Sequence, residues 1–143
     1  MAGIDVSIEV EGNARNAYDA WANFRNLPAF VKNAQEVVRE GDVLHWTGRV
    51  GRTTTSWDAR ITHEEPGRRL AWVAPDGPID TDITFEELDG SNRTLVRFSE
   101  RMHHSRTAQL TAALGLGAFR ARGDLLRFKA LVEGGTARGL HGR

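Results

Sequence analysis

Between residues 34 and 104, short runs rich in β-branched and aromatic side chains alternate with turns that contain glycine, proline, aspartate or asparagine. Turn residues at such short intervals are typical of the connections between antiparallel strands. The predicted strands are centred on Val37-Val38 and then run over Val43–Val50, Thr53–His63, Arg69–Ala74, Asp80–Leu88 and Thr94–Met102. A sheet built from them needs another element to cover its apolar face.

The flanking segments predict one more strand and three helices. Residues Ile4–Glu11 alternate apolar and polar side chains, the period of a strand with one buried face. Asn13 is placed to cap a helix over 14–23, and Pro28 fits the first turn of a second short helix. From about residue 107 to 132, apolar residues recur every three or four positions, which predicts one long helix.

This order predicts an α+β fold in which a seven-stranded antiparallel sheet curves around a long C-terminal helix. We expect one domain over 1–133, because 143 residues is an ordinary domain length. The stretch 134–143 lacks periodicity, so we expect a flexible tail there. Small residues at Gly117, Ala118 and Ala121 thin the middle of the buried helix stripe, which predicts a ligand cavity between helix and sheet.

Composition excludes several classes of function. Nineteen Lys and Arg residues balance nineteen Asp and Glu residues, which argues against nucleic-acid binding. The chain has no cysteine, so disulfides and thiolate metal sites are excluded. No apolar stretch approaches the roughly 20 residues that span a bilayer, and no signal peptide is recognisable, so we expect no membrane insertion and a cytoplasmic location.

No motif for a metal or cofactor stands out. His103 and His104 are adjacent on extended chain, so they point to opposite faces and cannot chelate one ion together. An exposed histidine pair is the favoured interpretation, although one ring could reach the cavity mouth. The chain carries no glycine-rich phosphate loop and no nucleophile elbow. We therefore expect no metal and no cofactor.

Strand alternation places most of the tryptophans on the inner face of the sheet. A packed core is the commoner explanation for each aromatic residue alone, and Trp21 is expected to be a core residue. Three indoles on adjacent strands, however, form an apolar surface suited to flat ligands. The predicted ligand-binding residues are Trp46, Trp57, Trp72, Ile83, Phe85, Phe98, Met102, Ala118 and Ala121.

Glu100 is the exception on that face, because it falls in phase with the apolar Val96 and Phe98. Burying a carboxylate is costly, which favours a function such as general acid/base catalysis or anchoring of a ligand hydroxyl. The alternative is that Glu100, near the strand end, pairs with an arginine and is solvated. Both interpretations stay open at this point.

Several short motifs follow one another along residues 3–133. They are Pro28-Ala29-Phe30, Leu44-His45-Trp46, Trp57-Asp58-Ala59-Arg60-Ile61, Leu70-Ala71-Trp72 with Asp76-Gly77, and Gly123-Asp124-Leu125-Leu126-Arg127-Phe128-Lys129. Together they resemble the polyketide cyclase/dehydrase branch of the START/Bet v 1-like superfamily. The resemblance implies the helix-grip fold, with two short helices after the first strand and a deep apolar cavity.

The resemblance implies two kinds of function. Relatives include aromatase/cyclases, whose cavity positions a poly-ketone chain for aldol closure and dehydration, and carriers or sensors of quinones, lipids or polyphenols. In a cyclase, Glu100 would be the acid/base, and Thr55 and His104 would orient ketone or hydroxyl oxygens. In a carrier, the same aromatics bind and Glu100 is an anchor or a rim residue. The favoured function is a cyclase whose partner is a hydrophobic small molecule or polyketide intermediate, in a monomer or homodimer.

Overall fold

The computed structural model describes residues 3–50, 52–77, 79–90, 92–102 and 117–140. Its elements are β1 (Gly3–Glu11), α1 (Ala14–Ala22), a 3₁₀ helix (Phe24–Ala29), β2 (Ala34–Glu40), β3 (Val43–Val50), β4 (Thr53–Glu65), β5 (Arg69–Val73), β6 (Ile79–Glu87), β7 (Arg93–Met102) and α2 (Gly117–Leu140). The predicted α+β order of one strand, two short helices, six strands and a helix is confirmed.

The seven strands form one antiparallel sheet in the order β1-β7-β6-β5-β4-β3-β2. Strands β2 to β7 follow one another as a meander, and β1 joins it beside β7 with Ile8 opposite Val96. This pairing leaves β1 and β2 at the two edges. The predicted seven-stranded sheet of a helix-grip fold is therefore confirmed.

A bulge at Thr62 divides β4 into two parts. Ile61 lies opposite Trp72, but His63 lies opposite Ala71, so the register shifts by one residue between these pairs. The bulge inverts the side-chain alternation that follows it. As a result Glu64 lies opposite Leu70 and shares the inner face.

Helix α1 covers one end of the inner face. The Asn13 side chain accepts a hydrogen bond from the Asn16 amide at 2.8 Å, as predicted for a helix cap. Apolar residues at helical spacing turn Tyr18 and Trp21 toward the sheet. The Tyr18 ring meets Phe85 edge-on at 5.7 Å, so the helix is anchored by aromatic contacts with the strands.

Helix α2 packs along β1 through a buried stripe of Ala121, Leu125, Phe128 and Val132. Asp124, only 2% exposed, ties this helix to the segment after the 3₁₀ helix. Its carboxylate accepts a hydrogen bond from the Lys32 amide at 3.1 Å and pairs with Arg127, whose Nε donates to the Phe30 carbonyl oxygen at 3.1 Å. The motif at residues 123–129 therefore has a structural role in joining the two segments.

The described part of α2 ends at Leu140, which is later than the sequence pattern indicates. The predicted end near Val132 is too early, because backbone hydrogen bonds continue a helix without an apolar stripe. The flexibility predicted for 134–143 stays a prediction. The predicted start near residue 107 lies outside the described residues. Across the described parts of the chain, no helix combines the length and apolar character needed to cross a bilayer.

Candidate functional site

Three indoles from adjacent strands are in contact on the inner face, and we call them the tryptophan cluster (Trp46, Trp57 and Trp72). Trp46 lies directly opposite Trp57 across β3 and β4. The two rings stack with their centroids 5.9 Å apart and their planes within 5°. Trp72 on β5 lies 5.8 Å from Trp46 with its plane tilted by 39°. The predicted placement of these three indoles on one apolar face is confirmed.

Two glycines make room for the indole of Trp57. A Cβ atom on Gly77 would lie 2.6 Å from Trp57 Cδ1, and one on Gly48 would lie 3.1 Å from Trp57 Cη2. Gly77 does not have a positive φ, so its lack of a side chain matters for this contact rather than for backbone conformation. The Asp76-Gly77 turn motif therefore serves the packing of the cluster.

A buried polar pair lies in the same row of the sheet as Trp72. Thr81 is the direct cross-strand neighbour of both Trp72 and Glu100. Glu100 is 8% exposed and Thr81 is 7% exposed. This burial contradicts the alternative of a solvated Glu100. Two strand spacings separate Trp72 from Glu100, or about 10 Å, which a ligand of two or three fused rings can span.

Other predicted site residues occupy different positions. Phe98 stacks on Trp21 at 5.5 Å, while Ile83 and Phe85 are buried on the same side of the sheet. These residues belong to the core beneath α1, and Ala121 is fully buried on α2. Their predicted ligand contacts stay predictions. The predicted catalytic His104 and the side chains of Met102 and Ala118 lie outside the described residues.

Thr55 is not brought next to Glu100 by the register. The row that contains Glu100 crosses β4 at Ile61, and Thr55 precedes Ile61 by six residues, or about 20 Å of extended strand. Thr55 instead lies opposite Gly48, near the far side of the tryptophan cluster. The hydroxyl beside Glu100 belongs to Thr81, and the role predicted for Thr55 stays a prediction.

Arg39 and Glu64 form an ion pair on the inner face that the sequence does not predict. Both Glu64 oxygens accept hydrogen bonds from the Arg39 guanidinium, at 2.5 and 2.9 Å. These hydrogen bonds lower the pKa of Glu64, and Arg39 also lies over the Phe24 ring. Burial, followed by the negative charge of Glu64, raises the pKa of the nearby Tyr18 hydroxyl. The sequence carries no signal for this pair, because the bulge at Thr62 turns Glu64 inward.

A polar groove of about 530 Å³ lies along the same strands, and Trp72, Thr81 and Glu100 are among its lining residues. Most of its lining residues occupy outward register positions, including Asp5, His63 and Arg101. Arg69 binds Asp82 through two hydrogen bonds of 3.0 and 2.7 Å, so this charge is neutralised within the groove. Among the described residues, no group of three or more histidine, aspartate or glutamate side chains is arranged to hold a metal ion.

An antiparallel seven-stranded sheet with a C-terminal helix and an aromatic inner face defines the fold as a helix grip. The chain belongs to the polyketide cyclase/dehydrase and lipid transport family, whose model matches residues 10–129. It is 29% identical, over 93% of its length and 91% of the relative's, to an uncharacterized 17.2 kDa protein of the melC2–rnhH intergenic region of Streptomyces lincolnensis.

Two of the solved structures with a similar architecture are informative. The di-domain ARO/CYC StfQ from the steffimycin biosynthetic pathway superposes with a TM-score of 0.72 at 18% identity, covering 94% of this chain and 46% of StfQ. A START superfamily protein from Mycobacterium smegmatis superposes with a TM-score of 0.66 at 11% identity, covering 95% of this chain and 97% of that protein. At these identities the similarity establishes the fold.

Proposed function

We propose that this chain binds an apolar diketone that carries a flat ring system against the tryptophan cluster and promotes its intramolecular aldol closure and dehydration. The observation that carries the proposal is the buried carboxylate of Glu100 in one sheet row with Thr81 and Trp72. Aromatic rings at one end and a proton-transfer group about 10 Å away suit a ligand with a flat ring system and a reactive keto chain. Membership of the family and the likeness of fold to StfQ support this kind of reaction.

In the proposed reaction Glu100 acts first as the base. Its carboxylate removes a proton from the carbon beside one ketone, and the resulting enolate carbon bonds to a second carbonyl carbon of the same chain. The new alkoxide takes the proton back from the Glu100 carboxylic acid. Loss of a second α-proton and of the hydroxyl as water then gives a cyclic enone. The diketone thus becomes the enone plus one water, with no oxidant or reductant consumed.

Thr81 is the group we place beside the reacting oxygen. Its hydroxyl is buried next to Glu100 and can donate a hydrogen bond to an enolate or alkoxide oxygen. The tryptophan cluster holds the ring system, so that the flexible chain folds back on itself within reach of Glu100. Such positioning supplies much of the rate in an intramolecular closure.

The test uses a naphthyl-substituted diketone whose two carbonyl groups are separated by three methylene groups. Its closure gives a naphthyl cyclohexenone with longer-wavelength absorption, which is followed by absorbance and by mass spectrometry. We expect the wild-type protein to accelerate closure and the Glu100→Gln variant to be slower by at least about tenfold, because a general base contributes two or more orders of magnitude. The melting temperature of the variant should stay close to that of the wild type.

Glu86→Gln is the matched control, since Glu86 is exposed on the outward face of β6. It should close the diketone at the wild-type rate. Full activity in Glu100→Gln would remove Glu100 from the mechanism. If the protein binds the diketone and the diketone is recovered unchanged, the protein is a carrier and not a catalyst of this reaction.

Carriage of a hydrophobic ligand is the second candidate, and the scarcity of polar groups inside favours it. Among the described residues, the buried polar side chains are Thr81, Thr94, Glu100 and Asp124. Thr94 donates to the Gly12 carbonyl oxygen at 2.9 Å, and Asp124 joins α2 to the segment after the 3₁₀ helix. Thr81 and Glu100 are the two that share a sheet row with Trp72. In a carrier, Glu100→Gln would bind the diketone as the wild type does.

A further inference from the structure

The indole N–H of Trp46 is a buried hydrogen-bond donor with no acceptor among the described residues. Trp46 is only 8% exposed and its Nε1 atom is buried, so bulk water does not replace the missing acceptor. A buried donor without an acceptor is costly, and the great majority of buried polar groups in native proteins are paired. This donor therefore calls for a physical explanation.

The neighbours of Trp46 do not offer an acceptor through their ring faces. An indole N–H lies in the plane of its ring, and the Trp57 ring is parallel to that plane within 5°. The Trp72 ring is tilted by 39°, which is also far from the perpendicular arrangement of an edge-to-face contact. Neither neighbouring ring face is therefore placed to accept the Trp46 N–H.

Trp21 provides a comparison within the same molecule. Its indole nitrogen is also buried without a hydrogen-bond partner among the described residues. Trp21, however, is in an edge-to-face contact with Phe30, with the ring centroids 4.8 Å apart and the two planes at 81°. Phe98 and Phe128 enclose it further. The Trp21 nitrogen belongs to a closed aromatic core, whereas the Trp46 nitrogen belongs to the surface proposed to hold the ligand.

We propose that Trp46 Nε1–H donates a hydrogen bond to a carbonyl oxygen of the bound ligand, so that the site selects planar ketones and quinones over hydrocarbons of the same shape. A carbonyl oxygen is the acceptor that completes this donor, and a flat ring bearing it can lie against the tryptophan cluster. The inference rests on the part of the proposed function that places a ligand at the cluster, and it is independent of catalysis by Glu100.

The experiment compares menadione, a naphthoquinone, with methylnaphthalene, which has the same ring skeleton and no carbonyl. The chain has no cysteine, so the quinone meets no thiol with which to react. Proton–nitrogen correlation spectra resolve the indole N–H groups of the four tryptophans. The Trp46 signal is assigned by elimination with Trp21→Phe, Trp57→Phe and Trp72→Phe. We expect menadione to move it downfield and methylnaphthalene to leave its hydrogen-bond shift unchanged.

Affinities give a second measurement. In the wild type, menadione should bind more tightly than methylnaphthalene, and Trp46→Phe should reduce that preference about fivefold, the value of one ordinary hydrogen bond. Trp46→Phe also loses ring contacts, but this loss affects both probes. The ratio of the menadione affinity to the methylnaphthalene affinity therefore reports the hydrogen bond. Trp21→Phe is the matched control and should keep the wild-type preference.

The outcomes separate this inference from the proposed function. If both probes bind and Trp46→Phe keeps the preference, the hydrogen bond is refuted and the proposed function stands. If neither probe binds the wild type, both are refuted. Should Trp46→Phe fail to fold, the downfield shift in the wild-type spectrum decides: its absence with bound menadione refutes the hydrogen bond.

Discussion

The indole of Trp57 shows how single residues shape the inner face. It fits between Gly48 and Gly77, where any Cβ atom would press on the ring. Its stacked partner Trp46 then fills the space toward Trp72. Alternation within each strand predicted which way these side chains point. The close approach to Gly77 could not be predicted, because it depends on how the turn after β5 folds back over β4.

His45 lies on the outer face of the sheet, and its pKa is shifted. Its Nδ1 lies 2.7 Å from an Asp58 oxygen and its Nε2 lies 2.9 Å from a Glu40 oxygen. Hydrogen bonds to Asp58 and then to Glu40 favour the charged ring, so they raise the pKa of His45 above its usual value. The pairing therefore adds stability that is fully present below the ordinary histidine pKa and is lost as pH rises through the folded-state pKa.

We expect Asp58→Asn to lower the pKa of His45, because it removes the larger of these contributions. The measurement is a titration of the histidine ring signals by nuclear magnetic resonance, with His45 assigned by His45→Gln. Asp89→Asn, in the turn between β6 and β7, is the control and should leave the pKa unchanged. An unaltered pKa in Asp58→Asn would contradict the hydrogen bond as its cause.

At the scale of the element, β4 and α2 differ in how far sequence predicts them. The period of two in β4 predicts the correct faces as far as Ile61. The bulge at Thr62 then reverses the faces, and no residue in the segment marks it. In α2 the helical period predicts the buried stripe over Ala121, Leu125 and Phe128. The role of Asp124 depends on residues 30–32, which are distant in sequence, and so it could not be predicted.

Two adjacent leucines in α2 provide a matched test of its packing. Leu125 is 1% exposed and Leu126 is 56% exposed. We expect Leu125→Ala to lower the free energy of unfolding by about 2–5 kcal/mol, through lost burial and the cavity left behind. Leu126→Ala should change it by no more than about 0.5 kcal/mol. Urea denaturation measures both, and equal losses would show that α2 does not pack on the sheet as described.

At the scale of the whole molecule, both edges of the sheet are engaged by other elements. The β1 edge meets α2, where Lys129 donates to the Glu9 carbonyl oxygen at 2.9 Å and Glu133 accepts from the Glu11 amide at 2.8 Å. Strand β2 packs beside the 3₁₀ helix, and the Ala34 amide at its start closes a turn by donating to the Val31 carbonyl oxygen at 3.1 Å. Covered edges of this kind restrict pairing with other chains.

The contact at the β1 edge makes stability depend on pH. Burial alone would raise the pKa of Glu133, but hydrogen bonds from Lys129 and the Glu11 amide outweigh it and lower the pKa. A lowered pKa contributes stability above the unfolded-state value that is lost as pH falls through the folded-state value. We expect Glu133→Gln to be less stable than the wild type at neutral pH, with the difference shrinking below about pH 4.5.

Denaturation of both proteins across this pH range measures the difference. Glu36→Gln, an exposed residue of β2, is the control and should follow the wild type. The difference in free energy of unfolding between Glu133→Gln and the wild type could instead stay constant into the acid range. That result would show that the carboxylate charge does not hold α2 to β1.

The sequence by itself determined the order of elements, the seven strands, the inward direction of the tryptophans and the unusual position of Glu100. These features follow from local periodicity and turn chemistry, which need only neighbouring residues. The tertiary structure decided the pairing of β1 with β7, the bulge that turns Glu64 inward and the Thr81–Glu100 neighbours. It also decided that the Trp46 nitrogen is buried with no acceptor in the part of the chain that the structure describes. Each of these depends on strand register or ring packing between residues far apart in the chain, which no local pattern encodes.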